Sequence, residues 1–231
     1  MTMYRKDLQK MLTMPDYETA ALKATEILIK HHITSAPIAP LPILKTMKGT
    51  LVVSFTEMAE MMGMERKEFI SVFGTGNQDA VTNVKKRDGK LLYIVAYNQR
   101  LPFYMLQRAL ARELGHIILN HDGSRPEEVR MEESLCFARH LLCPRPLIKS
   151  IEQAGIPLTV EVIGNVTGCF ERCLAGMRKT PAVHVPAEMN RQLKEQFADY
   201  VSNFVDFQND IMRDDESMLA NFGTFMDGYE E

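Results

Sequence analysis

The sequence predicts an α+β protein: a small antiparallel or mixed sheet with a hairpin, packed against two helices, with further helices C-terminal. Three observations carry this. Val81–Lys86 and Leu91–Tyr97 are strand-like segments joined across Asp88-Gly89, a pair suited to a tight hairpin turn. Two later segments, Leu101–Asn120 and Ser124–Pro144, carry apolar residues at helical spacing. The remaining chain holds several more helical patterns and one further strand-like run, LVVSF at Leu51–Phe55.

Taken in order, a first helix is expected from Asp16, as N-cap, to about His31, with Ala20, Ala21, Ala24, Ile27 and Leu28 on its apolar face. Ile33–Pro42 contains three prolines and is expected to be an extended connector. After the LVVSF strand, Thr56 is expected to cap a short Met-rich helix that stops near Gly63, its methionines serving as core filler. The second hairpin strand, LLYIVAY, is apolar on both faces and belongs inside the sheet. The Lys85-Lys86-Arg87 cluster reads as a solvated hairpin tip.

Pro102 opens the next helix, with Gly123 as its expected stop. Its two adjoining stripes, one with Leu106, Leu110 and Leu114 and the other with Ala109, Arg112 and His116, mark it as buried. Arg112, Glu113 and His116 are therefore polar groups in an apolar setting. Ser124-Arg-Pro-Glu127 has the spacing of a capping box for the helix that follows. Glu133 lies within that helix's inward stripe, and a buried carboxylate needs a cation, donors or a metal. Short helices are expected at Thr159–Gly164 and Thr167–Lys179, and a long one at Ala187–Arg213. From Asp214 the chain carries six acids and no base and is expected to be poorly ordered.

Composition narrows the function classes. Net charge is −3 and 45% of residues are apolar, so the chain can build a core and has no general attraction for nucleic acid or anionic membrane. The start of the chain lacks the apolar stretch of a secretory signal, and no apolar run approaches a membrane span. Four cysteines, none at C-x₂-C spacing, read as buried free thiols. A soluble, cytoplasmic protein is expected. The helical pair at Thr159–Lys179 offers one arginine and one glutamate near the start of its second helix, a poor face for DNA.

The segment Arg112-Glu-Leu-Gly-His116 nearly matches H-E-x-x-H, in which two histidines four apart bind Zn²⁺ and the glutamate is general base. Together with Tyr97-Asn-x-x-Leu-Pro102 and Glu133-S-L-C-Phe137-Ala138-R-H-Leu141-Leu142-C-Pro144, it resembles the ImmA/IrrE family of bacterial zinc metallopeptidases, over about Asp16–Lys179. The resemblance implies zincin-like site helices and a metallopeptidase-like domain over residues 1–180, followed by a C-terminal helix and acidic tail over 181–231. It implies Glu113 as general base, His116 and Glu133 as second and third zinc ligands, and Arg112 at the first ligand position. Family members cut helix-turn-helix repressors, switching on mobile-element or stress genes, so such a regulator is the implied partner.

Arg112 departs from the pattern. A guanidinium has no lone pair for a metal. A unit charge about 4 Å away at an effective dielectric near 20 is worth about 4 kcal/mol, so a divalent ion facing it meets about twice that in repulsion. An Arg112–Glu133 ion pair in place of zinc is the expected arrangement. His121, five residues after His116, is expected to turn away from the His116 face, and His140 lies about 10 Å along the helix from Glu133. Both are expected to be structural. Three readings stay open: a catalytically silent protein that binds a regulator, an active zinc endopeptidase using Glu113 with an altered metal shell, and a structural or DNA-linked module sharing the fold.

Overall fold

The computed structural model describes residues 14–73, 78–87, 90–168 and 183–227. The chain is α+β. Helix α1 (Tyr17–Lys30) is followed by α2 (Pro40–Thr46), strand β1 (Thr50–Ser54), α3 (Phe55–Met61) and α4 (Arg66–Phe73). The hairpin β2 (Ala80–Arg87) and β3 (Lys90–Tyr97) comes next, then α5 (Phe103–Ile118) and α6 (Glu127–Leu142). Helices α7 (Arg145–Gln153), α8 (Val160–Thr167), α9 (Ala187–Gln196) and α10 (Ala198–Asp227) complete the described chain.

The sheet order is β1-β3-β2, so the doubly apolar strand β3 is central, as its composition requires. It pairs parallel with β1, Val52 opposite Val95, and antiparallel with β2, Thr82 opposite the same Val95. Helix α5 packs against the hairpin on one side and α6 on the other, and α1 packs against α6. The main core gathers Leu28, Val95, Leu110, Leu114, Phe137 and Leu141, and Leu193 and Phe197 from the C-terminal helices join it. A smaller cluster holds Phe55 and Phe69 under β1. Helices α5 and α6 approach closely at Gly115, where an added Cβ would lie 3.1–3.2 Å from the Phe137 side chain.

Several expectations change at element ends. Asp16 does cap α1, accepting from the Thr19 amide at 2.9 Å. Within the Pro-rich connector, Pro40 instead starts α2, because proline suits the first turn of a helix. The cap of α3 is Ser54 rather than Thr56: Ser54 and Glu57 form a reciprocal capping box. Met58 and Met64 pack against the smaller cluster, as expected, whereas Met61 and Met62 point outward. The Ser124–Glu127 capping box does not form. Pro126 occupies the cap position, and the Ser124 amide donates to Asp122 instead. Helix α8 runs through to Thr167 and stops at Gly168, whose φ of +66° terminates it in the left-handed region.

The C-terminal helix predicted at Ala187–Arg213 is interrupted at Phe197, and α10 continues through the acidic stretch to Asp227, where disorder was expected. Helices α4 and α7 have no counterpart in the sequence reading. Lys85 and Lys86 are exposed, as expected of a hairpin tip. Cys136 and Cys143 are buried free thiols. The Asp88-Gly89 turn, the second helix of the expected pair, and Cys169 and Cys173 lie outside the described residues. Among the described residues, no helix is long and apolar enough to cross a membrane.

Candidate functional site

Helix α5 presents Arg112, Glu113 and His116 to an open cavity of about 340 Å³, also lined by Thr82 of β2, Tyr93 of β3 and Arg130 of α6. The 3.6-residue repeat places Arg112 and His116 one above the other, with Glu113 beside them and turned toward the hairpin. Glu113 is 4% exposed. Burial pushes its carboxyl above the ordinary range, and Thr82 and Arg112 oppose the shift without reversing it. Thr82 faces the carboxylate, but its hydroxyl forms no hydrogen bond of regular geometry.

Arg112 does not reach Glu133. Its Nη2 lies 3.7 Å from Glu113 Oε1, on its own helix, and its buried Nε has no partner. The expected Arg112–Glu133 pair is therefore replaced by another arrangement. Glu133, 2% exposed, accepts from Arg125 Nη1 at 2.5 Å and from the Asp16 amide at 2.7 Å, both on Oε1. Its Oε2 lies 3.0 Å from His121 Nε2. The cation that Glu133 needs comes from the loop before α6, and not from α5.

His121 also corrects the sequence reading. Helix α5 ends in a Schellman motif: Asn120 takes φ +53°, its amide reaches Ile117 O at 3.1 Å, and the His121 amide reaches His116 O at 3.0 Å. This reversal folds His121 back over the last turn instead of away from it. Its Nδ1 lies 2.7 Å from His116 Nδ1, with the rings edge to face. Asn120 was the available signal, since asparagine tolerates the left-handed conformation better than most residues. Arg125 had no sequence signal, because its role follows from the loop path.

The result is a continuous chain, His116–His121–Glu133–Arg125. His121 stands between the two residues that the resemblance assigns to zinc. Burial lowers His116 to about 4, with help from His121 and the nearby arginines, so its imidazole is neutral at pH 7. Burial also lowers His121, against the pull of Glu133. In the neutral pair, one Nδ1 donates and the other accepts.

Zinc binding needs the lone pairs of His116 and Glu133 to converge on one point. Here both Glu133 oxygens accept from protein donors, His116 Nδ1 is committed to His121 so that only its Nε2 is left with a lone pair, and Arg112 and Arg130 face the same cavity. As arranged, these residues do not fit the ion. Among the described residues, no group of three metal-ligating side chains is assembled.

His140, 8% exposed, lies two turns after Glu133 on α6 and lines a second cavity instead. Comparison of the chain with protein-family models, curated proteins and solved structures finds no match to any of them.

Proposed function

We propose that this chain is an ImmA/IrrE-like metallopeptidase-fold protein that is catalytically silent and acts in the cytoplasm by binding a helix-turn-helix transcriptional regulator. The partner class rests on the resemblance in α5 and α6. The silence rests on one observation: His121 bridges His116 and Glu133, so the two remaining ligand positions satisfy each other through a side chain. Arg112 adds a fixed positive charge at the first ligand position.

The alternative, an active zinc endopeptidase, draws support from Glu113. It lines the cavity and is shifted toward neutrality, as a general base held in an apolar site is. Metal analysis of protein purified without chelator separates the readings. The wild type is expected to carry no stoichiometric zinc. Arg112→His alone is also expected to stay metal-free, because His121 still spans the site. Arg112→His with His121→Ala is expected to take up zinc. Stoichiometric zinc in the wild type overturns the silent reading. Absence of binding to a purified helix-turn-helix regulator encoded beside this chain, measured by calorimetry, overturns the partner assignment.

A further inference from the structure

A second cavity, of about 620 Å³, opens where the end of α6, the start of α7 and α9 meet. Its walls are apolar at Pro144, Pro146 and Leu193, and its charged rim is of one sign. Arg145 and Lys149 are four residues apart on α7 and share a face. Lys194 joins them from α9, its Nζ 3.4 Å from Gln153 Oε1. Arg191 also lines the cavity but is engaged by Glu188 and Glu195. No carboxylate is among the residues lining this cavity, in contrast to the first one. Arg145 and Lys149 have no ion-pair partner among the described residues.

Two further features point inward. The cap position and first two residues of α7 line the cavity; Pro144 and Pro146 carry no N–H, so of these three only Arg145 brings a free amide, which no side chain caps. His140 lines the floor at 8% exposure with no hydrogen-bond partner among the described residues. Its imidazole opens onto the cavity, where a ring N–H can donate to a ligand oxygen.

We infer that this cavity binds a small organic phosphate, its phosphate held by Arg145, Lys149, Lys194 and His140 and its apolar part against Pro144, Pro146 and Leu193. Several cations on different elements match a multiply charged tetrahedral anion better than a single carboxylate, which one guanidinium satisfies. This cavity shares no lining residue with the first, and its ligand does not depend on how the His116–Glu133 cluster functions.

The test is calorimetric titration of the full chain with inorganic pyrophosphate at near-physiological salt, where exposed charges alone are screened. Saturable binding is expected, weakened at least tenfold by Arg145→Glu with Lys149→Glu and reduced by His140→Leu. Arg112→Ala, in the other cavity, is expected to leave it unchanged. Arg145 and Lys149 are exposed, so the double variant keeps the fold, which circular dichroism verifies. Absence of saturable binding at millimolar pyrophosphate, binding insensitive to the double variant, or equal binding of citrate overturns the assignment.

Discussion

His121 Nε2 lies 3.0 Å from Glu133 Oε2, and both side chains are buried at 3% exposure. A histidine beyond the end of one helix thus completes the hydrogen bonding of a carboxylate in the middle of the next. With Arg125 and the Asp16 amide on the other oxygen, the carboxylate has donors on both sides.

Removing that carboxylate is expected to be costly. Glu133→Ala leaves the Asp16 amide, Arg125 and His121 without their acceptor in a closed setting. Breaking a buried pair from one side typically costs about 3–5 kcal/mol. Arg125 is 24% exposed and recovers some hydration, so the lower end, about 3 kcal/mol, is expected. Guanidinium unfolding measures it, and a loss under about 1 kcal/mol would mean that water replaces the carboxylate.

Gly115→Ala sets two effects against each other. Alanine gains up to about 1 kcal/mol in helix propensity over glycine. The new methyl, however, meets Phe137 Cδ1 at 3.1 Å and its Cβ and Cγ at 3.2 Å, and Phe137 is fully buried. Overpacking of this kind costs about 1–3 kcal/mol, so net destabilisation is expected. Thermal unfolding of the variant decides; a raised midpoint would show that α5 and α6 separate at little cost.

Stability should fall with acid. His116 and His140 are each lowered from 6.5 to about 4, mainly by burial. Between those values the unfolded chain binds more protons than the folded one. Their contribution is therefore fully present above about pH 6.5 and is lost as pH falls through about 4. Glu113, raised by burial, acts in the opposite sense: its ionisation costs stability as pH rises. Two histidines outweigh one carboxyl, so denaturation midpoints should drop across this window. His116→Gln with His140→Gln should flatten the drop, and an unchanged slope in that variant would assign it to other groups.

The elements that place the site were legible where one periodic pattern dominated. The continuous apolar run of β3 and the stripes of α5 and α6 put strand and helices where they stand, and Glu113, His116 and Arg112 do share one cavity. What failed were helix ends and the partners they control. Ser54-Phe-Thr-Glu57 was readable as a capping box, but the adjacent Thr56 offered a competing cap. The path from Asn120 to Arg125 depends on one left-handed residue and a loop. That path decides which cation meets Glu133, so the Arg112 pairing inferred from helix facing alone missed it.

The Asp16 amide that donates to Glu133 belongs to the residue that also caps α1. Arg125, the other partner of that oxygen, reaches back to Met14 O at 2.7 Å. The first helix of the chain is thus latched to a carboxylate 117 positions later. Anything that captures Glu133 in a new geometry, an engineered metal included, would loosen the start of α1. Amide exchange in that first turn would then act as a remote reporter of events in the cavity.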